Sequence, residues 1–357
     1  MSKGQRIVVV GGGILGASIA WHLTQAGAAV TLLAGERAGV ATPTSFAWIN
    51  ASWGNPEPYF RLRTHAMREW NRLSGQLPGL PLRWCGSLIW DLPREELDAF
   101  ARQHGDWGYG LRPVTADESL RIEPTIRNAP AFAYHVAEEG AVEPAVAADL
   151  LISDAQARGL TVIERVLVDA VEHKAGKVAG VRTSQGFVSA DQVVLACGTG
   201  VPALAEPLGV NVPIETPPGL IVHSKPVSKI LNGLVLAPEL HIRQTLEGRI
   251  IAGSDFAGTD PGEHPQKAAD ELFAKVRAFL KGVDRLEMDF FTVGRRPTPV
   301  DGFPIVGHAP GVEGLYLAVT HSGVTLAPAL GAIAVQEMLE GARHDLLAPY
   351  RPERFNR

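Results

Sequence analysis

Gly11, Gly13 and Gly16 stand at the spacing G-x-G-x-x-G, directly after the β-branched run Ile7-Val8-Val9-Val10 and at the head of the helically patterned stretch Ile14 to Gln25. That context gives the spacing a chemistry. Gly11 permits a tight turn, Gly13 lets a pyrophosphate approach the main chain, and Gly16 lets the helix pack close to the strand. The helix start at Ile14 supplies N–H groups and positive potential. A glycine turn that binds nothing is the bland alternative, and the strand-turn-helix setting weighs against it. One residue is missing from the pattern. The acid that would hold an adenosine ribose should end the second strand, where Ala34 stands, so Glu36 two residues on, with Arg37 beside it, becomes the candidate.

Three further groups of residues have reactive or ligand-binding potential. His241, Arg243 and Gln244 fall in a strand-like run, and strand alternation puts His241 and Arg243 on one face. Arg295-Arg296 follows a glycine, Gly294. His321-Ser322-Gly323-Val324-Thr325 precedes the last helical pattern, where Thr320 to Ser322 could equally be an N-cap. Cys85 and Cys197 are far apart, so neither a disulfide framework nor a cysteine metal site is expected, and no metal is assigned.

The elements that must position these residues can be traced along the chain. Ile7 to Val10, Ile14 to Gln25 and Ala29 to Leu33 form a β-α-β unit, with Gly27 ending the helix. Pro58 to Leu73 places Leu62, Ala66, Trp70 and Leu73 on one helical face. Further helices are expected at 94–105, 144–158, 266–280 and 324–340. Strands are expected at 87–90, 161–168, 193–196, 220–223, 234–237, 241–244, 250–252 and 315–319, with an antiparallel meander between 170 and 189. Glu247-Gly248 is a plausible hairpin turn.

With 357 residues, 46% of them hydrophobic, the chain can bury a sizeable core. Its net charge of −5, with no basic stripe, argues against nucleic-acid binding. Lys3 and Arg6 before the apolar stretch to Leu23 superficially resemble a secretory signal, but the glycines interrupt that run and no cleavage site follows. The later apolar stretch Val324 to Leu339 contains Pro328, Gln336 and Glu337, which argues against a membrane span. A reducing cytoplasm suits the cysteine usage.

Three segments together resemble the D-amino acid oxidase superfamily of FAD-dependent oxidoreductases, in particular its glycine oxidase and sarcosine oxidase branch. They are Ile7 to Arg37, Val193 to Gly198, and Gly294 to Gly307 with Gly314 to Gly331. The resemblance implies an α/β plus α+β protein. A discontinuous Rossmann-type FAD-binding domain (1–79, 140–213 and 294–357) would carry a second, mostly antiparallel-sheet substrate domain (80–139 and 214–293). It implies that Thr44 and Ser45 lie in a loop along the pyrophosphate, that Val166 offers main-chain contacts to the adenine, and that Cys197 and Gly198 flank the cofactor. Gly294, Ser322, Gly323, Val324 and Thr325 would line the flavin.

Arg296 matches the arginine that clamps a substrate carboxylate in the family. A guanidinium fits that task because it gives two parallel charge-assisted hydrogen bonds. His321 would tune the flavin, and His241 would shape substrate choice. No cysteine lies between Arg296 and Asp301, where sarcosine oxidases carry their flavin link, so dissociable FAD is expected. The implied reaction is oxidation of the C–N bond of a small amino acid or secondary amine by hydride transfer to flavin N5, without a dedicated side-chain base. O2 or another acceptor would reoxidise the flavin. The absence of lysine in Arg249 to Gly253 tilts toward a dehydrogenase, and the partner expectation is a homo- or hetero-oligomer. Alternatives are a 2-hydroxy acid dehydrogenase and a flavin-bound subunit of a hetero-oligomeric amine or opine-type dehydrogenase.

Overall fold

Strand Arg6–Val10 buries four consecutive apolar side chains, Ile7 to Val10, a pattern suited to a strand covered on both faces. In the computed structural model it is a central strand of a six-stranded sheet ordered Ile305–His308, Leu315–Val319, Gln192–Leu195, Arg6–Val10, Ala29–Ala34 and Thr161–Glu164. All neighbours are parallel except Ile305–His308 against Leu315–Val319. Side-chain alternation divides the core. Ile7 and Val9 join the cluster beneath helices Ile14–Gln25, Pro144–Ala157 and Gly323–Leu339, while Val8 and Val10 join the one beneath the meander Val168–Lys174, Lys177–Thr183 and Gly186–Ser189. The structure describes residues 4–52, 54–254 and 260–356. Lys3 and the outer limits expected for the cofactor domain, residues 1 and 357, lie outside them.

A second sheet has eight strands, ordered Met288–Arg295, Pro218–Ser224, Ile250–Gly253, Leu240–Gln244, Leu234–Ala237, Ser87–Ile89, Phe132–Val136 and Arg112–Thr115. Its only parallel pair among the described residues is Leu234–Ala237 with Ser87–Ile89. Helix Pro265–Phe279 covers this sheet with Ala269, Leu272, Phe273 and Val276, residues at helical spacing that share the sheet's core cluster. Strand Met288–Arg295 runs past the expected domain boundary at 293/294, since Gly294 and Arg295 pair with Gly219 and Pro218. A three-stranded sheet, Trp48–Ile49, Gly140–Val142 and Leu82–Arg83, joins segments assigned to different domains.

Two local departures from expectation have plain causes. The strand expected over 161–168 stops at Glu164 because Arg165 adopts φ 54°, a conformation outside the extended region. Strand Met288–Arg295 leaves Phe290 and Val293 exposed, so it lacks the alternation that would reveal a half-buried strand. Arg243, 2% exposed, reaches out of the second sheet to Phe46 O at 2.7 Å and Glu143 Oε1 at 3.0 Å. It thereby ties strand Leu240–Gln244 to the loop before Trp48. Among the described residues, no helix is long and apolar enough to cross a membrane.

Candidate active site

At the carboxyl ends of the parallel strands a cavity of about 880 Å³ opens between the six-stranded and eight-stranded sheets. One end is made of main chain. Gly11 turns with φ 113°, and a Cβ there would lie 2.5 Å from Ala196 O. A Cβ at Gly16 would meet Gly11 O at 1.9 Å, and one at Gly39 would meet Gly13 Cα at 2.7 Å. The helix starting at Ile14 has no acidic residue in its first turn, and Ile14 N donates to Thr42 Oγ1 at 3.0 Å. The first N–H groups of a helix lack partners within it, so this end presents donors and positive potential to an anion.

Most of the residues expected from sequence line this one cavity: Gly11, Gly13, Ile14, Glu36, Thr44, Ser45, His241, Gly294 and Arg296. So do Cys197 and Gly198, together with His321 through Thr325. Gly16 acts from behind, as the close approach of helix to strand. Two other expected residues do not line the cavity. Arg37 does not line the cavity, because its guanidinium is held by Asp149, Glu164 at 2.7 Å and Ser153 at 2.8 Å. Val166 is 3% exposed within the core beneath the meander and does not line the cavity either; Arg165 and Leu167 on either side do. Thr44 and Ser45 use their hydroxyls inside their own loop, Thr44 Oγ1 donating to Ala41 O and Ser45 Oγ accepting from Ala47 N.

The other end is made of side chains. Arg296 follows strand Met288–Arg295, and Gly219 on the paired strand leaves it room, since a Cβ there would stand 2.4 Å from Arg296 Nη2. Arg296 Nη1 donates toward His321 Nε2 at 3.4 Å. Burial, and then the charges of Arg296 and Arg63, push His321 down to about 4, so its ring is neutral at neutral pH. Ser322 Oγ accepts from Arg63 Nη1 at 2.7 Å, and Arg63 also donates to Asn50 O and Asn50 Oδ1 at 3.0 and 2.8 Å. Asn50, which lines the cavity, is buried with Nδ2 unpartnered. Thr325 Oγ1 donates to Trp48 O at 3.1 Å, and Trp70 Nε1 donates to the carbonyls of Val324 and Thr325. The start of helix Gly323–Leu339 is therefore held from helix Glu57–Gln76 and from strand Trp48–Ile49.

Arg63, Thr42, Asn50 and Asp91 were not found by sequence reasoning. Arg63 had left a signal. It interrupts a stripe of buried residues, Tyr59, Ala66, Trp70 and Leu73, at helical spacing, and a charge in such a stripe needs partners. His241 is buried against Asp91, with Nε2 to Oδ2 at 2.7 Å. His223 stacks on Phe290 at 4.3 Å and does not line the cavity.

A glycine-built anion cradle and an arginine-histidine end share one cavity, and residues 6–337 match the family described as DAO, FAD dependent oxidoreductase. The chain belongs to that family. Its cofactor is FAD. The glycines fit that group, because Gly11, Gly16 and Gly39 have no space for a Cβ and so keep the main chain within reach of a pyrophosphate. Glu36 lines the cavity two residues beyond Ala34.

The glycine oxidase of Bacillus licheniformis is 28% identical, over 95% of this chain and 94% of its own. Among solved structures, the L-amino acid deaminase from Proteus vulgaris with its specific insertion deleted superposes with a TM-score of 0.89 at 20% identity, covering 99% of this chain and 95% of that one. Glycine oxidase from Geobacillus kaustophilus gives 0.85 at 22% identity, over 97% and 98%. These two structures share the fold of this flavoprotein. Burial pushes the Cys197 thiol up to about 12, so it lines the cavity as an unreactive S–H.

Proposed function

We propose that the protein oxidises the C–N bond of a small amino acid or secondary amine that carries a carboxylate. The observation that supports it most is Arg296 beside a neutral His321, in the same cavity as the glycine cradle. Among the described residues, the charged side chains lining that cavity are Arg63, Arg165, Arg295 and Arg296 against one acid, Glu36. An excess of guanidinium suits anions at both ends, the pyrophosphate of FAD and a substrate carboxylate. The full-length similarity to glycine oxidases supports an amine as the other substrate group.

In this reading FAD supplies the two-electron acceptor, and the chain positions and polarises. Arg296 fixes the carboxylate, and the space left by Gly219 lets the guanidinium turn toward it. His321, uncharged and accepting from Arg296, orients that guanidinium without competing for the anion. Arg63 fixes Ser322 and so the start of helix Gly323–Leu339, whose positive end favours the charge gained on reduction. The eight-stranded sheet covers the site and limits water, strengthening each charge interaction. Among the described residues no lysine lines the cavity, which supports an electron acceptor other than O2. The lack of a cysteine between Arg296 and Asp301 supports FAD held without a covalent link.

The test is an anaerobic visible spectrum of the yellow protein mixed in turn with glycine, D- and L-amino acids, N-methyl amino acids and 2-hydroxy acids. Bleaching by an amine is the expected result. Bleaching by hydroxy acids alone would overturn the proposal. Readmitting air then separates oxidase from dehydrogenase, and acid precipitation should leave the yellow cofactor in the supernatant.

A further inference from the structure

Arg63 is 3% exposed, and its guanidinium is closed on neutral groups. Nε donates to Asn50 O at 3.0 Å, Nη2 to Asn50 Oδ1 at 2.8 Å, and Nη1 to Ser322 Oγ at 2.7 Å and Tyr59 Oη at 3.5 Å. The Tyr59 ring adds its face, 5.3 Å from the guanidinium carbon. Among the described residues no carboxylate pairs with it. A buried cation that no acid answers is a costly arrangement, and it points to an anion supplied from outside the chain.

The acid tied to the same segment lies elsewhere. Glu139 is fully buried and accepts from Trp48 Nε1 and Tyr109 Oη, each at 2.8 Å, and from the hydroxyls of Ser52 and Ser87. Residues Trp48 to Ser52 therefore stand between a buried arginine and a buried acid, and only the arginine lines the cavity. Its four hydrogen bonds leave it without the pair of parallel N–H groups that clamp a carboxylate. What remains to it is charge acting through space. That field reaches His321, which burial and then the charges of Arg296 and Arg63 push down to about 4.

The glycine cradle takes the pyrophosphate, so the redox ring of FAD belongs at the other end of the cavity, where Arg63 meets Ser322. The ring is neutral when oxidised. Reduction by a hydride brings two electrons and one proton and leaves it with one negative charge.

We propose that Arg63 is the fixed charge that stabilises the reduced ring and so raises the potential of bound FAD. Holding Ser322 is a second task of the same guanidinium. Burial keeps the surrounding dielectric low, which strengthens the attraction and shields it from salt. The inference does not depend on the amine reading, because the ring gains the same charge whatever donor reduces it.

The experiment is the midpoint potential of the FAD-loaded protein, measured anaerobically against a reference dye with a chemical reductant and no substrate. Arg63→Gln keeps an amide donor and removes the charge. It should weaken the binding of reduced FAD relative to oxidised FAD about 10-fold, a fall of about 30 mV for a two-electron couple. Arg63→Lys keeps the charge and loses the planar fork, so its potential should stay close to that of the wild type.

A wild-type potential in Arg63→Gln overturns the proposal. So does an Arg63→Lys potential that falls as far as that of Arg63→Gln, which would leave Arg63 only the task of positioning the helix. If Arg63→Gln does not fold, Arg63→Lys decides alone: a potential close to wild type supports the fixed charge, and a fall of about 30 mV overturns it.

Discussion

The two ends of the cavity are built from different materials. At the cofactor end the work is done by main chain, and the decisive side chains are the ones that are missing: a Cβ at Gly16 would stand 1.9 Å from Gly11 O. At the substrate end it is done by side chains whose partners are distant in sequence. Arg63 meets Ser322 across 259 positions, and Asp91 meets His241 across 150. A main-chain site is specified by local spacing. A side-chain site exists only after the sheets have met.

That contrast can be broken most severely at Gly16. Gly16→Ala should destabilise the protein by about 3 kcal/mol or more and abolish retention of FAD, since the clashing atom is backbone and cannot swing aside. The same substitution at Gly75, in helix Glu57–Gln76 with nothing within 4 Å, should be neutral or stabilising. Thermal melting and the flavin content of the purified variants would show it. Equal losses at both positions would mean that the cradle is not held by close packing.

Next in size, Arg296→Ala should raise KM for carboxylate substrates about 100-fold while leaving FAD bound, the worth of a charge-assisted pair. Steady-state kinetics across a substrate series check it. An unchanged KM would place the carboxylate elsewhere.

A smaller effect concerns buried histidines, of which His321 lines the cavity and His22 and His223 do not. Burial pushes His22, His223 and His321 down to about 4. Each ring binds its proton less tightly folded than unfolded, so its contribution to stability is complete above pH 6.5 and is lost as pH falls toward 4. Glu123, raised to about 7 by burial, works in the opposite sense, losing stability as pH rises from 4.5 to 7. Three rings outweigh this one carboxyl, so their net effect is a loss of stability from pH 6.5 to 4. Urea unfolding at stepped pH should show that slope, and His22→Gln should flatten it by about one proton. An unaltered slope would show that His22 titrates normally.

The smallest effect separates two neighbours. Glu36→Gln should weaken FAD binding several-fold, because Glu36 lines the cavity, whereas Arg37→Ala should change it little, its guanidinium being held by Asp149 and Glu164 at the surface. Fluorescence titration of the stripped protein with FAD reads both. Equal effects would return Arg37 to the cofactor site.

The same division governs how much was legible beforehand. The β-α-β unit was readable because buried strands and a glycine turn are short-range patterns, and helix Ile14–Gln25 matches its sequence limits. Arg296 and His321 were found through a resemblance that spans most of the chain. Asp91 carries no local mark, since it sits in an unremarkable turn and gains meaning only when strand Leu240–Gln244 arrives beside it. Which side of the loop after Glu164 faces the cavity was not legible, since Arg165 leaves the extended region with φ 54°, and Arg37 found carboxylates that sequence distance concealed.

The order of strands in the six-stranded sheet has a consequence for synthesis. Val8 to Val10 pair with Val193 to Leu195, which pair in turn with Leu315 to Leu317. A nascent chain therefore holds its glycine turn beside an open strand edge until Gln192–Leu195 has been made, and that strand in turn waits for Leu315–Val319. The apolar strand Arg6–Val10 must be shielded until then, and capture of FAD waits for the segment around Thr325 that completes the cavity.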